Sequence, residues 1–281
     1  MRENTEILGD PPGYFSHSQN FTTTKDTIDL LNLQIEIEKK YPPGIKRDLI
    51  IVNSNVGSKE GNKFIKKLNN RKINNGKIIS YTRKNIGMSY GAYSDAFLKF
   101  RNKYDFFLFI EDDIITVKKN YLKISYQKFL RTKNCGFVAF IGLSRVKKDW
   151  WEKAGLNNLN ALSAYGGCGL SSKFVLNKIV NKIGYLPHNK KNINQKESII
   201  CGELGLSKVI IDLGFNLTEL RNEVLTMPAY DYMRGIDYKK YPSFYNKYLW
   251  IIKSIIYNQI SKSKLLLKYY LLLVKILKKV N

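Results

Sequence analysis

The sequence predicts an α/β fold, a mostly parallel sheet flanked by helices. Apolar runs rich in β-branched and aromatic residues recur at 48–52, 77–81 and 104–110. Segments of helix length separate them, at 58–69 and 89–101. Turn-forming residues mark the junctions, and strands that alternate with helices in this way build βαβ units.

Taken in order, Pro11-Pro12 opens an extended stretch that places a short strand at 13–17, and Thr22-Thr23-Thr24 reads as a helix entrance. Over 25–40, Ile28, Leu31 and Ile35 fall on one helical stripe with Leu30 and Leu33 beside it. Tyr41-Pro42-Pro43-Gly44 stops that helix. The run 48–52 is apolar without alternation, as a strand buried on both faces must be, and it ends in Asn53-Ser54-Asn55. The strand 77–81 leads through a loop at Gly87 into the helix 89–101 and then the strongly apolar strand 104–110. In such sheets ligands bind outside the carboxyl ends of the strands.

Beyond Ile115 the regularity loosens. A helix is expected at 121–131, a strand at 136–141, an aromatic loop at Trp150-Trp151, a Gly-rich turn at 165–169, and helices at 175–183 and 196–213, the last closed by Gly214. After Pro228 the composition changes: residues 245–281 hold eight lysines and no acid, with long apolar residues between them. Lys264, Lys268, Lys275 and Lys279 share one arc of a helical wheel, and Leu266, Tyr270, Leu273 and Leu277 lie opposite. Residues 236–281 therefore read as a C-terminal basic amphipathic helical appendage to a domain at 10–235. It can rest on an anionic membrane surface, each Lys contributing roughly 1 kcal/mol, or pack on the domain, and both readings stay open.

Composition bounds the partners. The 281 residues carry 47 Lys and Arg against 23 Asp and Glu, a net charge of +24, and 44% are apolar, enough for a sizeable core. Such charge attracts nucleic acid, an acidic membrane face or a phosphorylated substrate. Most of the basic residues are Lys among many Asn and Ile, a skew that genome composition also produces, so charge does not choose among these. Cys135, Cys168 and Cys201 lack paired metal spacing and an even count, which fits buried small residues in a reducing compartment. The first residues lack a signal-peptide core and no segment is apolar enough to span a membrane. The expected location is cytoplasmic, with the tail able to place the protein on the inner face of the plasma membrane.

Chemistry concentrates at two places. Glu111, Asp112 and Asp113 follow the apolar strand directly, at the end where the fold expects a ligand. Adjacent carboxylates repel one another, a divalent cation removes that repulsion, and hard carboxylate oxygens suit Mg²⁺ or Mn²⁺. The alternative is a solvated acidic turn. The second place is 83–96, RKNIGMSYGAYSDA, where Gly87 and Gly91 permit close backbone approach and the following helix N-terminus can receive an anion.

Together, Arg83 to Ala92 (Arg-X-Asn-X-Gly-X-X-X-Gly-Ala) and the acids 111–113 resemble the GT-A glycosyltransferases, in particular the large bacterial family 2 type, over roughly residues 13–215. The resemblance implies a Rossmann-like GT-A domain, a nucleotide-sugar donor and a divalent metal, Mn²⁺ or Mg²⁺. It implies that Ser16, His17, Asn53 and Asn55 cup the nucleotide base and that Arg83, Asn85 and Gly87 border the donor. Asp113 would hold the metal directly, with Glu111 and Asp112 reaching metal, ribose or sugar. The turn with Gly166 and Gly167 would line the sugar and acceptor pocket. Glu203 would be the base of an inverting transfer, with Glu197 in reserve. Trp150 either stacks on a sugar or packs inside. The acceptor would be a carbohydrate or a lipid-linked hydroxyl, in surface polysaccharide or glycolipid synthesis.

Two departures from the family pattern stand out. Asn53 and Asn55 replace the Asp expected at the base, and Glu203-Leu204 replaces a Glu-Asp pair. Two other readings compete. A nucleotidyltransferase would place a phosphate-cradling Gly-rich loop after the first strand, where Ser16-His17-Ser18-Gln19 stands. A nucleic-acid-binding protein would suit the pI of 9.7 and the 19 tyrosines, yet no helix-turn-helix, zinc or aromatic RNA-binding motif accompanies them.

Overall fold

The computed structural model describes residues 24–54, 58–145, 152, 162–164, 167–191, 197, 199–220, 224 and 226–228. The expected strand at 13–17, Ser16, His17, Asn55, Trp150, Trp151, Gly166 and the tail 236–281 lie outside the described residues.

The chain is α/β. Helix α1 (Thr24–Lys40) precedes strand β1 (Leu49–Asn53), helix α2 (Lys59–Leu68) and the hairpin β2 (Lys72–Ile73) to β3 (Gly76–Thr82). Helix α3 (Met88–Phe100) then leads to β4 (Phe106–Phe109), β5 (Ile114–Thr116) and α4 (Tyr121–Arg131). Next come β6 (Cys135–Ala139), β7 (Leu143–Arg145), β8 (Leu162–Ala164), β9 (Gly169–Ser172) and α5 (Lys173–Ile183). A π-helical turn (Ile200–Leu204) runs straight into α6 (Gly205–Asp212), before β10 (Asn216–Glu219) and β11 (Thr226–Pro228).

Local chemistry sets several of these boundaries. Ser58 caps α2 by accepting the Gly61 amide at 2.9 Å, and Ser172 caps α5 through the Val175 amide, so each helix begins where a hydroxyl satisfies a leading N–H. Gly184 ends α5 in the left-handed conformation that lets the chain turn away.

The strand pairing is mixed rather than mostly parallel. β1 runs parallel to β3 and β6 parallel to β10, while β9 lies antiparallel between β4 and β6. The described residues between β6 and β9 include an antiparallel β7–β8 pair, and β9 re-enters the sheet antiparallel to β6. Strands β2, β5, β7, β8, β9, β10 and β11 were not expected from the sequence; each spans two to four residues, too short for a periodicity to register.

β6 is buried along its whole length. On one of its faces Phe137 and Ala139 pack with Phe97, Val175, Leu176, Ile179 and Ile210, from α3, α5 and α6. On the other, Val138 and Phe140 pack with Tyr121, Leu122 and Leu220. Alternate side chains of one strand thus feed separate core layers, and burial at roughly 25 cal/mol per Å² of apolar surface makes these layers the main source of stability. A third cluster ties α1 and α2 to β1 and β3 through Leu31, Ile35, Ile51, Leu68 and Ile78.

Candidate active site

A cleft of about 1230 Å³ opens between β1 and β4, with both strands and α3 among its walls. Glu111, Asp112 and Asp113 line it, at the carboxyl end of β4. Asn53 and Ser54 line it from the end of β1, and Asn85, Ser89, Tyr90 and Tyr93 from the segment that opens α3. The structure therefore brings together the two stretches that the sequence singled out, although 20 or so residues of helix and strand separate them.

Gln34 of α1 holds the acidic turn from behind. Its amide donates to the carbonyls of Glu111 at 2.6 Å and of Ile114 at 2.8 Å, and the Ile114 amide closes the turn on the Glu111 carbonyl at 3.2 Å. With the backbone pinned, the carboxylates face a cleft crowded by protein. Burial, then the Asp113 and Asp112 charges, pushes the Glu111 carboxyl up, against a hydrogen bond from Ser89. Burial and then the Asp112 charge push Asp113 up. Asp112 is exposed to the cleft, while Asp113 has its Oδ1 buried without a hydrogen-bond partner among the described residues.

An orphaned buried carboxylate oxygen is costly, and a cation is one partner that suits it. Among the described residues no three His, Cys, Asp or Glu side chains converge as a ready cage. The donor set fits a hard cation held by one or two carboxylates that completes its shell with water and phosphate oxygens, as Mg²⁺ does.

At the carboxyl end of β1, the Asn53 amide donates to Asn62 Oδ1 at 3.0 Å, and Thr82 donates to the same oxygen. Arg83 donates to Ser54 Oγ at 3.3 Å and to the Ile86 carbonyl at 2.7 Å, which folds the 83–87 loop back on itself. Gly91 admits that loop: a Cβ there would lie 1.8 Å from the Ile86 carbonyl oxygen. Gly87, at φ +78°, sits under His188, whose ring is 2.4 Å from where a Cβ would stand. The His188 pKa is lowered by burial and by Arg83 and Lys190, against the Leu186 carbonyl bonded to Nδ1 at 2.7 Å.

Glu203 occupies the π-helical turn, only 5% exposed, and accepts from Ser163 Oγ at 2.9 Å. One residue on, the Ala164 amide donates to Ser207 Oγ at 3.0 Å, so β8 is fastened to both the turn and α6. Tyr90 is wedged between Gly202 and Gly167, whose added Cβ atoms would lie 2.2 Å and 2.5 Å from its ring. That wedge carries Glu203 into electrostatic reach of Glu111. Glu203 lies behind the cleft wall rather than lining it.

The chain matches no family model, no curated protein and no solved structure. Its chemistry rests on the residues themselves.

Several of these were missed in the sequence. Cys168, expected only as a buried residue, is buried amid Glu111, Asp113 and Glu203, and burial with those charges raises its thiol well above the ordinary value. Tyr93 packs on Phe109 with ring centroids 4.8 Å apart, and its buried hydroxyl has no hydrogen-bond partner among the described residues. Ser163 had no signal at all. For Tyr93 the one available signal was its spacing, one helical turn after Ser89.

Proposed function

We propose that the chain is a metal-dependent glycosyltransferase that moves a sugar from a nucleotide-sugar donor to a hydroxyl of a carbohydrate or lipid-linked acceptor. The observation that carries this reading is Asp113, just after β4, with a buried carboxylate oxygen that has no hydrogen-bond partner among the described residues, in a cleft of about 1230 Å³.

Asp113 and Glu111 are the residues that would hold Mg²⁺ or Mn²⁺. Such an ion, when bound, neutralises charge developing on the leaving nucleoside diphosphate. Asn53, Arg83 and Asn85 border the donor, and the Arg83 bonds to Ser54 and Ile86 keep that border in one shape. Glu203 is the proposed base, in a role that requires the acceptor hydroxyl to pass the cleft wall that buries it here: its carboxylate would take that hydroxyl's proton as the oxygen bonds to the anomeric carbon and the bond to the diphosphate breaks. Ser163 holds the Glu203 carboxylate in place for that transfer. Attack opposite the leaving group inverts the anomeric configuration. The family resemblance extends this to surface polysaccharide or glycolipid synthesis, with the basic tail at an anionic membrane surface.

The test is thermal stability against nucleoside diphosphates and nucleotide sugars, each with and without Mn²⁺, because a ligand that binds only the native state raises the melting temperature. Metal-dependent stabilisation by one nucleotide, lost in Asp113→Ala, is the expected result. Equal stabilisation in the variant would overturn the assignment.

A further inference from the structure

We propose that Tyr93 is a binding residue of the acidic site, whose phenol O–H donates to an oxygen ligand of the cation that Asp113 holds. The inference rests on the metal reading of that site.

Two partnerless groups of opposite kind lie in the same cleft wall. Asp113 Oδ1 is a buried acceptor and the Tyr93 hydroxyl a buried polar group, and neither has a hydrogen-bond partner among the described residues. They do not satisfy each other, so what they lack is a third group that accepts from one and is bound by the other. A cation carrying an oxygen ligand is such a group.

The placement of Tyr93 is independent of the acids. Ser89 and Tyr93 stand one turn apart on α3, hence on one face, and Ser89 already donates to the Glu111 carboxylate. The Tyr93 ring is locked against Phe109 at 4.8 Å and edge-on to Tyr90 at 5.8 Å. Phe109 ends β4 two residues before Glu111, and the charges of Glu111 and Asp113 act on the phenol. Packing on Phe109 therefore delivers the phenol to the acidic turn. Burial, and the charges of Cys168, Glu111 and Asp113, keep it protonated and so a donor.

Tyr93→Phe removes one oxygen and leaves the ring packing intact. The probe is Mn²⁺ alone, whose oxygen ligands are then waters, titrated into the full chain by electron paramagnetic resonance. Asp113→Asn should abolish site binding in the otherwise wild-type protein. Tyr93→Phe should weaken it about 10-fold, the usual cost of losing a supporting hydrogen bond around a metal. The metal-free variant should melt no lower than wild type, because the lost hydroxyl has no partner.

Unchanged Mn²⁺ affinity in Tyr93→Phe, with Asp113 dependence preserved, overturns the role of Tyr93 and leaves the metal reading standing. A lower melting temperature of metal-free Tyr93→Phe also overturns it, since the hydroxyl would then be structural. Absence of Asp113-dependent Mn²⁺ binding in wild type overturns the metal reading, and the Tyr93 assignment with it.

Discussion

The Gln34 side-chain amide donates to the Glu111 carbonyl at 2.6 Å, across 77 residues of chain. Its second hydrogen goes to the Ile114 carbonyl, so one side chain on α1 fixes both ends of the acidic turn. Gln34→Ala removes both bonds. At about 0.5–1.5 kcal/mol net for each, urea denaturation should show a loss of roughly 1–3 kcal/mol. Mn²⁺ affinity should fall as well, while Gln34→Glu, which lacks the donors, should not rescue it.

The raised carboxyls make a pH prediction. Glu111 titrates at about 8 in the folded protein against an ordinary 4.5, and Asp113 at about 7 against 3.8. Between the ordinary and the folded values the native state holds more protons than the unfolded state, so stability falls as pH rises across that window. The melting temperature without metal should therefore drop between about pH 5 and pH 8, and Asp113→Asn should flatten the slope. Added Mg²⁺ should raise the melting temperature more at pH 8 than at pH 5.5, because it binds the charged carboxylates. A wild-type profile that rises with pH and is insensitive to Asp113→Asn would contradict this account.

Ser163 and Glu203 separate structure from chemistry. Ser163→Ala leaves a buried carboxylate short of a donor and should cost about 1–3 kcal/mol in chemical denaturation. Glu203→Gln keeps an oxygen for Ser163 and should melt close to wild type. If Glu203 is the base, its loss should lower kcat by about 100-fold or more, read with the donor that the stability screen identifies. Normal kcat in Glu203→Gln would move the role to Glu197 or to another group.

Gly202→Ala places a methyl 2.2 Å from the Tyr90 ring. Overpacking of this kind costs about 1–3 kcal/mol, measurable by denaturation. A second change, Tyr90→Leu, should relieve part of that cost, and a double-mutant cycle would register the coupling.

Much of the fold was legible because its signals are local. Residues 121–131 were expected to be helical and are α4, and the segment 58–69 contains α2 with Ser58 as its cap. The segment 196–213 was less legible: Ile200–Leu204 is a π-helical turn before α6 begins. Gly202 within that turn accommodates Tyr90 from a helix more than a hundred residues earlier, which no helical wheel can display. The acidic turn was legible as a strand end with three carboxylates. Its support by Gln34 and Ser89, and the arrival of Tyr93 beside it, were not.

The sequence by itself determined where the longer helices and strands β1, β3, β4 and β6 form and that Glu111, Asp112 and Asp113 follow one of those strands. Apolar period, capping hydroxyls and turn residues act within a few positions, so they can be read in order along the chain. Only the tertiary structure decided that β9 runs antiparallel between β4 and β6, and that Gln34, Tyr93 and Glu203 gather around the acids. Strand direction and side-chain convergence are set by packing between elements far apart in the chain. There the favourable term is shared burial and long-range hydrogen bonding rather than any preference of the residues themselves.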